Sequence, residues 1–176
     1  MDEVVIDTNV LLVANGNHAD VSPACVTSCV KRLTQARENA VIVVDNGYRI
    51  LSEYRKKLDP NGAKGVGGAF LKWLLQQQDN PCRVHQVALT DHGEDQFNEF
   101  PDPALETAFD PPDRKFAAVA HAHPSKPPVW QAADCKWLSW WQALAQAGVR
   151  VEFLCPVDVC AFYAKKFPGH MVPPLP

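Results

Sequence analysis

The four residues Val41–Val44 constrain the fold of this chain more than any other segment. They are consecutive β-formers, too few for a helix and apolar throughout, which is typical of a strand buried on both faces. Val4–Ile6 repeats the pattern near the start of the chain. Because a strand covered on both faces lies between layers of helices, these runs predict a mainly parallel sheet.

Segments with helical character alternate with the apolar runs along most of the chain. Ser22-Pro23 predicts a helix from Pro23 to Arg37, since proline is tolerated in a first turn. This alternation predicts an α/β fold, with about five strands and helices on both faces of the sheet. Further strands are predicted over Arg83–Leu89, Val129–Gln131 and Val149–Leu154, and further helices over Tyr48–Leu58, Phe70–Gln78, Asp110–His123, Trp137–Ala147 and Val157–Phe167.

The length of 176 residues fits one domain with its own core, predicted over residues 1–167. The tail 168–176 contains four prolines and is expected to lack regular structure. Asp59–Gly62 predicts a helix stop, and the glycine-rich Lys64–Gly68 predicts a loop. Asp91–Asp113 carries eight acids and no lysine or arginine, so we expect short surface helices there, and we expect Asp91–Asp110 to tolerate shortening.

The six cysteines contain no Cys-x-x-Cys pair, which argues against a zinc knuckle or a thioredoxin-like site. Cys25 and Cys29 lie one helical turn apart and are interpreted as small buried apolar groups with reduced thiols. No segment reaches the length of a membrane span, and Met1-Asp2-Glu3 does not resemble a secretory signal. These features predict a cytoplasmic protein with no membrane partner.

Acidic residues stand where the chain returns to the carboxyl edge of the predicted sheet. Asp7 closes the first strand, and Glu53, Asp113 and Asp134 follow at later junctions. The net charge is −3, so the chain outside these four acids is nearly neutral. Because converging carboxylates repel one another, divalent cations are expected between them, and two such cations suggest phosphodiester chemistry.

Each acid also has a purely structural interpretation. Asp7 and Asp134 are placed to cap helices, and Asp113 is placed to stabilise a helix dipole, although Asp110 is better placed as that helix's cap. Glu53 alone reads as a solvated partner of a lysine one turn on. The set favours a site, because strand ends and the following helix starts share one edge of an alternating sheet.

Four segments together resemble the PIN-domain family of metal-dependent nucleases, over Val4 to about Leu154. The first is the most specific. At the fourth, Ala132 or Ala133 stands where many relatives have a hydroxyl residue, and Lys136 where many have a second acid. The segments are Val4–Leu12, Ile50–Tyr54, Asp113–Ala120 and Ala132–Trp137.

The resemblance implies a three-layer α/β/α fold and an endoribonuclease that cleaves RNA with Mg²⁺ or Mn²⁺. It implies that Asn9 and Thr8 orient Asp7 without binding metal. Many small members are toxins of toxin–antitoxin pairs, so a protein antitoxin and a second copy of this chain are candidate partners. Relative to the shortest toxins, the chain has insertions at about 62–80 and 91–110. The implied metal ligands and catalytic residues are Asp7, Glu53, Asp113 and Asp134.

Several alternatives stay open at this point. A basic cluster of Arg49, Arg55, Lys56, Lys57 and Lys64 is a candidate for binding substrate phosphates, or equally a solvated helix face. Trp140 fits base stacking less well than core packing. The function itself has three alternatives: a nuclease for DNA or branched nucleic acid, a non-catalytic RNA-binding scaffold, and an aspartyl-phosphate phosphatase. The last is disfavoured because its motif needs an acid where Asn9 stands.

Overall fold

The computed structural model of the chain describes residues 2–58 and 65–176. The strands within these ranges are β1 (Asp2–Ile6), β2 (Ala40–Asp45), β3 (Val84–Val87), β4 (Asp91–Gly93), β5 (Gln96–Phe97), β6 (Val129–Gln131) and β7 (Val151–Phe153). The α-helices are α1 (Thr8–Ala14), α2 (Pro23–Asn39), α3 (Arg49–Lys57), α4 (Val66–Gln77), α5 (Pro103–Ala108), α6 (Arg114–Ala122), α7 (Trp141–Gln146) and α8 (Pro156–Lys166). Two 3₁₀ turns, Pro111–Asp113 and Cys135–Ser139, precede α6 and α7.

Five strands form one central sheet in the order β3-β2-β1-β6-β7, and every neighbouring pair is parallel. β1 is the middle strand, so the residue that follows it lies at the centre of the carboxyl edge. Val4 pairs with Ile42 of β2, and Ile6 pairs with Trp130 of β6. All six residues of β2 are buried, as its apolar run predicts. The predicted α/β fold with a five-stranded parallel sheet is confirmed.

Helices flank this sheet. α6 packs across β1, β2 and β6, while α1, α2 and α4 pack against one another. Trp137 and Trp140 are buried in the core against Phe109, which confirms packing as the role of these two rings. Among the described residues, no helix is both long enough and apolar enough to cross a membrane.

Two helices near the amino terminus differ from the sequence prediction. α1 was not predicted, because a seven-residue segment that is buried nearly all round shows no polar face. The loop predicted over Lys64–Gly68 is wrong from Val66 onward, where α4 begins. Its glycines serve close packing, since a Cβ on Gly67 would stand 2.1 Å from the carbonyl oxygen of Leu11. Three sequence predictions concern residues outside the described ranges. They are the helix stop over Asp59–Gly62, the place of Lys64 in the basic cluster, and the start of the insertion at 62–80.

The predicted helix Trp137–Ala147 is also shorter than expected. Its first turn belongs to the 3₁₀ segment Cys135–Ser139, and α7 begins only at Trp141. Gly148 ends α7 in the left-handed region, with φ of 86°, as a glycine terminator does. The tail 168–176 contains no helix or strand, as predicted.

The acidic stretch Asp91–Asp113 is largely exposed and includes one short helix, as predicted, but it is also anchored in the core. It contains the antiparallel pair β4–β5 and helix α5. Phe97, Phe100 and Phe109 are buried in the main core. Glu106 is also buried, and its Oε1 accepts a 2.7 Å hydrogen bond from the backbone N–H of Phe97. The stretch is therefore tied to the core through three rings and one buried carboxylate.

The expectation of reduced thiols is wrong for one pair of cysteines. A disulfide joins Cys25 in α2 to Cys155 before α8, across 130 residues of sequence. Cys29 is buried beside it, with its Sγ 3.8 Å from that of Cys155. Because disulfides persist in oxidising compartments, this bond argues against the predicted cytoplasmic location.

Candidate active site

Asp7 follows the central strand directly and is 4% exposed. Its backbone N–H donates to the carbonyl of Trp130 at 3.0 Å, which continues the pairing of β1 with β6. Its Oδ1 accepts a 2.8 Å hydrogen bond from the backbone N–H of Asn9 and caps α1. The capping interpretation is thus correct, but it uses only one oxygen of the carboxylate, and the other has no hydrogen-bond partner among the described residues.

The charge on Asp7 is strongly disfavoured in this position. Burial raises its pKa well above the ordinary value, and the neighbouring charge of Asp113 raises it further. Asp134 and Glu53 act in the same direction, while the hydrogen bond from Asn9 opposes them. Each of the other three acids predicted from the sequence is therefore close enough to raise the pKa of Asp7.

Asp113 is the last residue of the 3₁₀ turn that leads into α6, and its side chain caps neither segment. Burial, followed by the charges of Asp134 and Asp110, raises its pKa from 3.8 to about 7. The ammonium of Lys115 partly offsets this rise. A partly buried acid without a capping role at a helix start is available to bind a cation.

Asp134 lies just beyond β6, next to Asp7 along the same sheet edge. Its Oδ1 accepts a 3.1 Å hydrogen bond from the backbone N–H of Lys136 and caps the 3₁₀ turn Cys135–Ser139. As at Asp7, the cap uses one oxygen. In Asp7 and Asp134, one carboxylate oxygen caps a helix and the other does not take part in the cap. A capping pattern in the sequence is therefore compatible with a ligand role.

Glu53 reaches the same region from α3, but both of its oxygens are engaged. Oε1 accepts a 2.6 Å hydrogen bond from the hydroxyl of Thr8. Oε2 accepts a 2.5 Å charged hydrogen bond from Lys115 Nζ. The solvated glutamate paired with a lysine of its own helix is therefore not what the structure shows: the partner comes from α6.

Thr8 and Asn9 connect the elements that carry the acids. Thr8 joins α1 to Glu53 of α3, and the Asn9 side chain accepts a 2.8 Å hydrogen bond from the backbone N–H of Ala133. Asn9 thereby fixes the segment that carries Asp134, and its own N–H holds Asp7.

Sequence reasoning missed two residues here. Tyr54 is fully buried beneath the site, and its hydroxyl donates to the carbonyl of Ile6, the residue before Asp7. Lys115 is 7% exposed and contacts Glu53 across 62 residues. A tyrosine among apolar residues of an amphipathic helix indicates only core packing, so Tyr54 could not be singled out. Lys115 gave no signal, because residues two apart on a helix point in different directions.

Lys136 pairs with Asp110. This hydrogen bond is the main reason that the pKa of Lys136 is raised. The sequence favoured Asp110 as the helix cap, but its side chain makes no capping hydrogen bond. Asp110 binds Lys136 instead of capping the helix because a charged ammonium forms a stronger hydrogen bond with a carboxylate than a backbone N–H does.

Three residues of the basic cluster, Arg49, Arg55 and Lys56, have different surroundings. Arg49 is held by Asp91 at 2.6 Å and by Asp45 at 3.5 Å, so its charge is already compensated. Arg55 is exposed, and its guanidinium lies 3.4 Å from the hydroxyl of Tyr48. Lys56 lines a cavity of about 590 Å³ that also includes Glu53, Lys115 and Arg49. This cavity adjoins the acids on the side of α3.

Two other groups of side chains bring three metal-ligand types within 4.8 Å of one another. One is the cysteine group already described, and the other is Glu3 with His85 and His123. The facing nitrogens of His85 and His123 are 3.2 Å apart, with nearly coplanar rings whose centroids are 5.3 Å apart. His85 Nδ1 also lies 2.9 Å from Oε1 of Glu3, and His123 Nδ1 lies 3.7 Å from the other oxygen of Glu3. In the described parts of the chain, no three of the four acids meet the same distance.

The acidic edge differs from a structural carboxylate at the same edge. Asp45 ends β2 fully buried, but its two oxygens accept hydrogen bonds from the backbone N–H groups of Arg49 and Ile50. Within residues 2–58 and 65–176, Asp7, Asp113 and Asp134 retain carboxylate oxygens without a backbone N–H partner. Hard oxygen donors with uncompensated charge match the preference of Mg²⁺ or Mn²⁺. Comparisons of the chain with protein-family models, with curated proteins and with solved structures found no match.

Proposed function

We propose that this chain is a metal-dependent nuclease and that RNA is its substrate. The observation that carries the proposal is the buried carboxylate of Asp7 at the end of the central strand, with its pKa raised by burial and by Asp113. Such an arrangement costs folding free energy. Binding sites tolerate costs of this kind where a ligand uses the charge.

Carboxylates that are buried together without a bound cation fit a divalent ion. Asp7, Asp113 and Asp134 supply free carboxylate oxygens from three segments that meet at one edge. An ion held there would polarise the phosphate and lower the pKa of a bound water. Tyr54 and Asn9 hold Asp7 in place from the backbone side, so the chain itself fixes the geometry of the donors.

Hydrolysis at this site replaces one phosphorus–oxygen bond with another. The oxygen of a water forms a bond to phosphorus as the bond from phosphorus to the leaving ribose oxygen breaks. A carboxylate of the site takes one proton from the attacking water, and that proton passes through solvent to the leaving ribose oxygen. Lys56 lines the cavity beside α3 together with Glu53, which supports a role for Lys56 in binding the phosphates of flanking nucleotides.

The preference for RNA derives from the resemblance of the four segments to the PIN-domain family. A toxin role, an antitoxin partner and a homodimer are proposed on the same basis. The chain carries all four acids of the pattern, which favours a nuclease over a scaffold whose acids are vestigial.

The test is incubation of the purified protein with labelled single-stranded RNA and with matching DNA, in Mg²⁺, Mn²⁺ or EDTA. Asp7→Asn is compared with Asp2→Asn, which removes an exposed acid at the opposite end of β1. We expect metal-dependent cleavage of RNA that is lost only in Asp7→Asn. Cleavage of DNA alone would favour the alternative nuclease. A folded protein that binds RNA without cleaving it would favour the scaffold.

A further inference from the structure

Two histidines and a glutamate meet near the start of the central strand. Glu3 lies in β1, His85 lies in β3, and His123 follows α6 directly. One carboxylate oxygen and one nitrogen from each ring all lie within 4.8 Å of one another. Two imidazole nitrogens with one carboxylate oxygen form a donor set that binds Zn²⁺ in proteins.

The register of the sheet explains why these side chains meet. Glu3 pairs with Val41 of β2, and Val43 of β2 pairs with His85. Residues in register share a face of a sheet, as do residues two apart along a strand. Glu3 and His85 therefore lie on one face, on the strands either side of β2. His123 reaches them because α6 packs across β1 and β2 and ends at this residue.

The separations between the donor atoms fit one small ion. His85 Nδ1 lies 3.2 Å from His123 Nε2 and 2.9 Å from Glu3 Oε1. A tetrahedral Zn²⁺ with bonds of about 2.0–2.1 Å sets neighbouring ligand atoms about 3.3–3.4 Å apart. The two nitrogens are already close to this separation, and the glutamate oxygen would move by only about half an ångström.

A proton serves this group less well than a cation does. His85 Nδ1 carries at most one hydrogen, and both Glu3 Oε1 and His123 Nε2 lie within hydrogen-bond distance of it. That hydrogen cannot point fully at both atoms. A divalent ion in its place would bind all three donors at once.

Ser125 holds two of the three candidate ligands from outside. Its Oγ lies 3.0 Å from His123 Nδ1, and its backbone N–H donates to the same nitrogen at 3.3 Å. The hydroxyl also donates to Glu3 Oε2. Ser125 thereby contacts the far nitrogen of one ring and the far oxygen of the carboxylate. Outer-shell partners of this kind orient metal ligands.

The group is accessible to an ion from solvent. The His85 side chain is 37% exposed and the Glu3 side chain is 21% exposed. A cavity of about 540 Å³ is lined by His85 and His123, and another of about 520 Å³ is lined by Glu3 and Ser125. Three protein ligands leave the fourth tetrahedral position for water or a small ligand.

We propose that Glu3, His85 and His123 bind one Zn²⁺ ion, with Ser125 as a positioning residue. The ion would join β1, β3 and the end of α6. This site is separate from the acidic edge, because four residues of extended chain place Glu3 about 13 Å from Asp7. The inference goes beyond the proposed function and does not depend on it.

Zn²⁺ binding to the full chain tests the inference. Isothermal titration calorimetry in excess Mg²⁺ gives the number of Zn²⁺ ions bound, because Mg²⁺ occupies oxygen sites and leaves imidazole free. We expect one Zn²⁺ per chain. The absorption spectrum of bound Co²⁺ is a second readout. A tetrahedral site of nitrogen and oxygen ligands absorbs in the visible without the charge-transfer band of a thiolate, so the spectrum distinguishes this site from the free cysteines.

Variants assign the ion to these residues. Ser125→Ala should weaken Zn²⁺ binding by about 10–100-fold and keep the Co²⁺ spectrum. His85→Ala and Glu3→Gln should weaken binding further, because each removes a ligand. His170→Ala and Asp2→Asn are the matched controls, since they change an exposed histidine and an exposed acid. Both controls should bind Zn²⁺ as the unmodified protein does.

Thermal unfolding provides an independent measurement. Saturating Zn²⁺ should raise the unfolding midpoint of the unmodified protein, because an ion that binds only the folded state stabilises it. It should raise the midpoints of His170→Ala and Asp2→Asn equally. It should not raise those of His85→Ala or Glu3→Gln. If His85→Ala does not fold, Glu3→Gln and its control Asp2→Asn decide the question.

Three results would overturn the inference. Absence of Zn²⁺ binding by the folded, unmodified protein would mean that the three side chains form a hydrogen-bonded group only. Unchanged binding in His85→Ala and Glu3→Gln would place the ion elsewhere. Loss of Zn²⁺ binding in Asp7→Asn would place it at the acidic edge. None of these measurements uses RNA cleavage, so a failure of the proposed function would be seen separately.

Discussion

The hydroxyl of Thr8 donates a 2.6 Å hydrogen bond to Glu53, although 45 residues separate them. Thr8 is buried in the first turn of α1, and Glu53 lies in α3. The bond therefore fixes the position of α3 relative to the end of the central strand. Through Glu53 it also reaches Lys115 on α6, so one hydroxyl supports three of the helices around the site.

Thr8→Val should lower the free energy of unfolding by about 1–2 kcal/mol, because it removes a buried hydrogen bond to a charged acceptor. Urea unfolding measures this loss. Thr27→Val is the control: its hydroxyl donates to the carbonyl of Pro23 on the exposed side of α2, and we expect little change. Equal losses in the two variants would contradict a specific role for Thr8.

Asp7→Asn should make the metal-free protein more stable. Burial and the charge of Asp113 raise the pKa of Asp7, so the ionised form is penalised in the folded state at neutral pH. Asparagine removes that penalty and can still accept the hydrogen bond from the N–H of Asn9. Calorimetric unfolding in EDTA at pH 8 should show a higher midpoint for Asp7→Asn than for the unmodified protein or for Asp2→Asn. A lower midpoint would mean that the Asp7 charge is compensated within the chain.

The metal-free protein should lose stability as pH rises from about 4 to about 7. The pKa of Asp113 is about 7 in the folded protein, against an ordinary value of 3.8. The folded state therefore holds more protons than the unfolded state in this window, and the free energy of unfolding falls as pH increases. Urea titrations across the window measure the slope.

Asp113→Asn is the matched variant, because it removes the group that titrates. In this variant the free energy of unfolding should depend less on pH between about 4 and about 7. Saturating Mn²⁺ should reverse the sign of this dependence in the unmodified protein, because the metal binds the ionised acids and only in the folded state. A metal-free protein whose stability increases between pH 4 and pH 7 would contradict the raised pKa of Asp113.

The sequence predicted those features of the fold and site that depend on one strand and the residue after it. The apolar runs located β1 and β2, and Asp7 and Asp134 follow strands as expected. The sequence did not predict contacts between elements that are distant along the chain. Lys115 meets Glu53 across 62 residues, and such a pair depends on how α3 and α6 pack.

The glycines of α4 also show that packing between distant elements cannot be predicted from local sequence. Their flexibility predicts a loop, yet Gly67 lies in a helix because α4 approaches the backbone of α1 too closely for a side chain. Local propensity was overridden by packing that no local pattern records. The acidic stretch shows a similar limit, because its charges gave no indication that Phe97, Phe100 and Phe109 are buried in the core.

Phe109→Ala should lower the free energy of unfolding by about 3–5 kcal/mol, as large-to-small changes in a core do. The ring is 1% exposed, and its centroid lies 4.1 Å from Trp140 and 5.0 Å from Trp137. Urea unfolding measures the loss, and Met171→Ala is the control because that residue is 90% exposed.

Removal of residues 91–110 should abolish folding rather than be tolerated, because the segment contributes Phe97, Phe100 and Phe109 to the core. Recovery of the deletion variant as a cooperatively unfolding protein would restore the sequence-based expectation. It would also show that the three rings are dispensable.

The Cys25–Cys155 disulfide should be present in protein purified without reductant. Alkylation after denaturation should then modify the four free cysteines, and prior reduction should raise the number to six. Because the bond closes a loop of 130 residues, its loss in Cys25→Ala/Cys155→Ala should lower the free energy of unfolding by about 2–5 kcal/mol. Cys82→Ala, which changes an exposed free cysteine, should have little effect. Six modified cysteines without reduction would mean that α2 and α8 are held by packing alone, and would again favour a reducing cytoplasm.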